Sequence, residues 1–235
     1  MVDCQDSGKI NDRVNVLKRV YELYDHLVSD SASVCRKACA LCCTANVTMT
    51  NLEGRFIRFH LPKEALADLK DRVLKAKPLT RFQPKTTPNR MAILCMEGKP
   101  IPEETVPENS SPCPLLTGDI CSIYPFRPFG CRSMFSITDC HGAGYAQMDD
   151  LLLSINTVFQ QFIEHLDTPG VTGNLTDVLV MELMPGDLCL WESKNPIPKG
   201  MVENQPIKRV MIPPEHRERI YHVVQQLNRI GLGLC

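Results

Sequence analysis

Eight of the chain's twelve cysteines fall into two groups of four. The first, Cys35-x3-Cys39-x2-Cys42-Cys43, packs its thiols into nine residues; the second is Cys113-x7-Cys121-x9-Cys131-x8-Cys140. Four thiols so close together are too dense for an ordinary core and too crowded for four separate disulfides. Thiolates are soft ligands that suit zinc, iron–sulfur clusters and copper(I), so this pattern fits convergence on a metal. Structural zinc takes paired knuckles with two to four residues between ligands in each half. The first group can supply such a knuckle, whereas the second, with intervals of seven, nine and eight, cannot. Neighbouring side chains such as Cys42 and Cys43 also diverge from a single tetrahedral ion. A cluster spreads its iron corners over several ångströms and accepts ligands from more directions. The spacing therefore favours a [4Fe-4S] cluster held by four of the eight cysteines. Zinc is the alternative metal, and a vicinal Cys42-Cys43 pair that responds to oxidant is a third reading.

Arg127 and Arg132 flank Cys131. A four-thiolate cubane carries net negative charge, which nearby guanidinium groups would stabilise; ordinary surface contacts are the plain alternative for both. Pro125 and Pro128 fix the turn that leads into Cys131. His141 follows Cys140 directly, but adjacent side chains diverge, and the other histidines show no HExxH or paired spacing. Cys95 reads as a small buried hydrophobe in an apolar strand. Cys189 reads as core, and Cys4 and Cys235 as untethered. Gly142-Ala143-Gly144 lacks the third glycine and preceding strand of a nucleotide loop, and is read as a hinge. No Ser-His-Asp pattern or phosphate loop is legible.

The first group, with Cys113-Pro114-Leu115-Leu116, Cys121-Ser122-Ile123-Tyr124 and Arg127-Pro128 leading to Cys131-Arg132, resembles the YkgJ-type cysteine-cluster family. That family is known by a CxxCxxCC signature and by zinc or iron chelation. The likeness covers about residues 30–135 and includes the Thr50-x-x-Glu53 helix start, although the first interval here is x3 rather than x2. The resemblance implies metal chelation. A distant relative, the flagellin lysine N-methylase, joins a [4Fe-4S] cluster to S-adenosylmethionine. The resemblance therefore implies protein lysine methyl transfer, with S-adenosylmethionine as cofactor, as an alternative activity.

The elements that must position these thiols follow from periodicity and capping. Val14, Leu17, Tyr21, Tyr24 and Val28 continue a stripe begun at Ile10 and mark an amphipathic helix before the first group. Val47–Met49 reads as extended. Thr50 with Glu53 forms a capping box that starts a short helix, with a β-hairpin at Asn51–Gly54 as the competing pattern. Pro62 suits the first turn of a helix carrying Ala65, Leu66, Leu69 and Val73. Arg90–Met96 reads as a strand. Leu115-Leu116 and Ile120–Tyr124 form a hairpin around Gly118 that carries Cys113 and Cys121. Met148 to Leu166 is a long helix. Asn174 caps a shorter one through Leu183, Pro185–Pro206 is irregular around Trp191, and a last helix runs from Pro213-Pro214 to Gly231.

These readings give a mainly α protein with a small antiparallel β-hairpin, an α+β class. Irregular proline-rich loops are expected to be organised around a cysteine-ligated metal centre. The expected division is a cysteine-cluster domain over 1–145 and a helical region over 146–235 packed on it. A metal joining the two groups would close the intervening loop, a constraint worth about 4 kcal/mol. The formal charge of −1 argues against wholesale nucleic-acid or anionic-membrane binding. The first fourteen residues lack a signal peptide's pattern, and the longest apolar runs fall far short of a membrane span. A cytoplasmic setting is therefore expected, where thiols stay free or bind metal and a redox partner protein would be met. Whether the chain is an enzyme is left open.

Overall fold

The computed structural model describes residues 5–29, 31, 33–36, 38–107, 111–184 and 196–232. Cys4, Cys189, Trp191 and Cys235 lie outside them. In chain order the helices are α1 (Gln5–Val28), α2 (Asn51–His60), α3 (Lys63–Ala76), α4 (Pro88–Met96), α5 (Phe129–Arg132), α6 (Cys140–Ala143), α7 (Asp150–Leu166), α8 (Leu175–Leu183) and α9 (Arg217–Leu227). The strands are β1 (Thr48–Thr50), β2 (Leu116–Thr117), β3 (Ile120–Cys121), β4 (Val171–Asn174) and β5 (Met201–Glu203). Helices dominate and the sheets are small and antiparallel, as the α+β reading expects. Among the described residues no helix is long and apolar enough to cross a membrane.

Helix α1 forms where its apolar stripe predicts, and the stripe from Val14 to Val28 is buried against α2 and α7. Tyr24 is fully buried, with its ring edge-on to Phe129 and Phe159 at 4.8 and 5.0 Å between centroids. Its hydroxyl donates to Asn156 at 2.7 Å, the partner a buried phenol requires. The capping box at α2 is complete. Thr50 Oγ1 accepts from Glu53 N–H at 3.3 Å, and Glu53 accepts from Thr50 N–H at 2.7 Å. A helix therefore forms at Asn51, and the competing hairpin does not. Pro62 stands one place earlier than a first-turn residue, as the cap of α3.

Arg90–Met96 is helical, not a strand. Thr87 Oγ1 caps the turn by accepting from Arg90 N–H at 3.2 Å, and Pro88 occupies the first turn, where a missing N–H costs nothing. Thr87 and Asn89 are anchored to Glu164 on α7 at 2.5 and 2.8 Å, so tertiary contacts select the helix over the apolar run's strand preference. Cys95 is consequently exposed on α4 rather than buried.

Strand β1 pairs with β4, which pairs with β5, in the order β1-β4-β5. All four residues of β4 are buried, so no alternation marks it in the sequence. Asn174 caps α8, which packs on α2 and α3. β2 and β3 form the expected hairpin, turned at Gly118 with φ +59°.

Candidate metal centre

Backbone contacts join the two cysteine groups. Cys113 N–H donates to Cys43 O at 2.9 Å and Ala45 N–H to Ser111 O at 2.8 Å, beside a bridge between Thr44 and Pro112. Upstream, Val34 N–H donates to Ser136 O at 2.9 Å, tying the entry of the first group to the stretch after Cys131. Within the first group, Cys39 N–H bonds Arg36 O and Cys43 N–H bonds Ala40 O, with Ala38 left-handed at φ 65°. In the second group, the hairpin register sets Leu116 opposite Cys121. Cys131 rides on the single-turn α5, whose Phe129 N–H donates to Glu53 Oε1 at 2.7 Å. Gly130 lets this turn lie close to β1, since a Cβ there would stand 3.0 Å from Thr48 O.

The result is a cavity of about 480 Å3. Cys35, Cys39, Cys42, Cys43, Cys113, Cys121 and Cys131 line it, as do Arg127 and Arg132. Cys140 stands apart at the start of α6, its thiol 3.8 Å from Thr138 O. His141 lines a neighbouring groove with Cys39 and Cys43. The thiols lie at different depths. Cys113 is buried, and Cys43, Cys121 and Cys131 are half-buried and packed with it in one apolar cluster. Cys35 and Cys42 are exposed. Among the described residues, no three Cys, His, Asp or Glu side chains are placed so as to hold one metal ion. The cavity lining holds thiols but no carboxylate or imidazole, a donor set whose chemistry suits a soft metal.

Burial raises the thiols of Cys113, Cys121 and Cys131, most of all Cys131, whose neighbours Cys113, Cys121 and Glu53 add to the effect. Arg127 opposes the rise at Cys121 and Cys131. The vicinal pair splits: the hydrogen bond from Cys43 lowers Cys42 to about 6, while that bond and burial push Cys43 up. Without a cation, the inner thiols therefore hold their protons.

The two predicted arginines do different work. Arg132 is buried, donating to Asp25 at 2.6 Å and to Pro125 O at 3.1 Å, with its guanidinium 4.4 Å over the Tyr21 ring. Its Nε is buried without a partner. Arg127 lies 4.1 Å over the exposed Tyr124 ring and donates to Tyr124 O. Sequence reasoning missed Arg72 on α3, which holds the hairpin by donating to Leu116 O and to Thr117 Oγ1. Its charge opposes the rise at Cys113 and Cys121, yet no local signal marks it. It also missed the reach of Glu53 beyond its own helix cap.

No curated protein and no solved structure matches the chain. A family model described as a "putative zinc- or iron-chelating domain", CxxCxxCC, matches residues 34–150, which include every cysteine of both groups. Through residues 34–150 the chain belongs to the CxxCxxCC family of zinc- or iron-chelating cysteine-cluster domains.

Proposed function

We propose that the cavity holds a metal centre ligated by Cys43, Cys113, Cys121 and Cys131, and that the centre is a [4Fe-4S] cluster serving electron transfer or metal handling. One observation carries this reading: thiols from both groups line one cavity that contains no carboxylate or imidazole. Hard cations want oxygen ligands and would find none from acidic side chains there. The second group's intervals of seven, nine and eight residues do not make a zinc knuckle, which favours a cluster with spread corners over one zinc ion. When bound, such a cluster takes up and returns single electrons.

The chain's own residues do the rest. The Cys113–Cys43 backbone bond keeps the two groups in register. Leu115 and Ile123, both buried in the cavity wall, exclude water from one side. Arg127 supplies positive charge beside Cys121 and Cys131, offsetting the charge the thiols acquire when they ligate. Because those thiols must shed protons first, loading strengthens as pH rises.

Anaerobic purification followed by iron, sulfide and zinc analysis tests the proposal. The expected protein is brown, carries iron with inorganic sulfide, loses both in Cys113→Ser and Cys131→Ser, and keeps them in Cys140→Ser. Colourless protein with stoichiometric zinc refutes the cluster. The lowered, exposed Cys42 thiol supports a second role as an oxidant-sensitive group in metal-free protein. Reversible thiol loss on mild oxidation, abolished in Cys42→Ser, is its test.

A further inference from the structure

We propose that Glu53 is a positioning residue of the metal centre, its buried carboxylate holding the turn that presents Cys131. The proposal rests on reading Cys131 as a ligand. Glu53 is 3% exposed, and four contacts meet its carboxylate. Oε2 accepts from Thr50 N–H at 2.7 Å and from Thr50 Oγ1 at 3.2 Å, which is the capping role. Oε1 is not needed for that role. It accepts from Tyr21 Oη and from Phe129 N–H, each at 2.7 Å.

Those two donors bracket Cys131. Phe129 opens α5 two residues before it, and Pro128 offers no side-chain cap to that turn. On the other side, the guanidinium of Arg132 lies over the ring of Tyr21, the same residue whose hydroxyl Glu53 holds. One carboxylate thus links α1, the start of α2 and the turn bearing the thiol. A helix cap tolerates glutamine as well as glutamate. The second oxygen does not, because a carboxamide turned either way sets an N–H group against one of the two sets of donors. The demand for a carboxylate therefore comes from the Cys131 turn and not from the helix.

Cobalt(II) titration of the full chain under anaerobic conditions is the test, since thiolate-to-cobalt charge-transfer absorbance scales with the number of thiolates bound. In Glu53→Gln we expect cobalt binding weakened by about 10–100-fold. The absorbance per bound cobalt should fall to the level of Cys131→Ser. Glu164→Gln is the control for a purely structural loss. Glu164 is an equally buried acid that accepts from Thr87, Asn89 and Gln205 and is not bonded to α5, so that variant should lose stability and keep the wild-type spectrum. A wild-type spectrum in Glu53→Gln, or an equal change in Glu164→Gln, overturns the proposal. If Glu53→Gln does not fold, Tyr21→Phe decides: it keeps the ring under Arg132, deletes one donor, and should shift the spectrum the same way by less. A wild-type spectrum there overturns the proposal as well. Wild-type protein without any thiolate band defeats the metal-centre reading itself, and this proposal with it.

Discussion

Asn174 offers the sharpest test of how the cysteine region is fastened to the rest of the chain. It is fully buried and serves three segments at once. Oδ1 caps α8 by accepting from Thr176 N–H at 2.9 Å, while Nδ2 donates to Ala45 O at 2.7 Å and to Phe82 O at 3.0 Å. Ala45 lies two residues past Cys43, so this amide pins the exit of the first cysteine group. Asn174→Ala removes a cap worth about 1 kcal/mol and strands two carbonyls at about 1–3 kcal/mol each, the less buried Phe82 toward the low end. The expected loss is about 3–5 kcal/mol, or a fall in Tm of roughly 6–20 °C for a chain of this size. Asn174→Ser keeps the cap and should recover about 1 kcal/mol of that loss. Asn174→Asp also keeps the cap but sets a buried charge against two carbonyls, so it should be less stable than the alanine variant. Urea unfolding followed by circular dichroism, at one pH for all four proteins, gives the order. Asn174→Ala within 1 kcal/mol of wild type, or Asn174→Asp as stable as wild type, would refute the reasoning.

Three further outcomes follow from buried or paired groups. Burial lifts the Asp167 carboxyl from 3.8 to about 8, against the opposing bond from Leu52 N–H. The folded chain then keeps a proton that the unfolded chain has lost, so this group's contribution is complete below about pH 4 and drains away as pH rises to about 8, at up to about 1.4 kcal/mol per pH unit. Asp167→Asn should flatten the stability–pH curve in that window, and a curve parallel to wild type would contradict the assignment. The Arg81–Asp177 ion pair is 9% and 12% exposed, so Arg81→Met should cost about 3–5 kcal/mol by stranding the aspartate, with much of that returned in Arg81→Met/Asp177→Leu; equal losses in single and double variants would count against it. In metal-free protein, alkylation mapped by mass spectrometry should label Cys42 half-maximally near pH 6 and leave Cys131 largely unlabelled below neutrality; the reverse order would dismiss the hydrogen bond that splits the vicinal pair.

The parts of the fold that were legible are those written within a few residues of chain. The α1 stripe, the Thr50–Glu53 box, the Asn174 cap and the turn at Gly118 each carry their information locally, and each element forms where expected. Strand β4 was not legible, because four residues buried on both faces show no period. Arg90–Met96 misled because its apolar run suits a strand, while the decision lies in Thr87 and Asn89 meeting Glu164 some 75 residues away. At the site, cysteine type and density pointed to metal chemistry, but not which thiols lie inside. That distinction depends on the Cys43–Cys113 backbone pairing, a contact across 70 residues. Arg72 was invisible for the same reason, since only folding brings α3 to the hairpin.

This pairing also bears on whether metal makes the fold or merely occupies it. Small zinc modules have no core of their own, so metal binding and folding are one event. Here the two cysteine groups are already joined by Cys113 N–H to Cys43 O, Ala45 N–H to Ser111 O and the Asn174 amide on Ala45 O, none of which needs a metal. The apolar cluster that includes the cavity's wall continues beyond it into α8 through Leu175, Val178 and Leu179, so that wall is anchored on its far side by ordinary core packing. What a metal adds is closure of a loop whose ends are already close, so its loop-entropy contribution should fall below the about 4 kcal/mol reckoned for an otherwise unconstrained chain. Removing metal with a chelator should therefore leave far-ultraviolet circular dichroism and cooperative unfolding in place, with Tm lowered by less than that closure would give. The first cysteine group, where Cys35 and Cys42 are exposed, should be where protease sensitivity rises. Unfolding of the whole chain on chelation would show instead that the cavity walls depend on the metal, and that these backbone contacts cannot hold them alone.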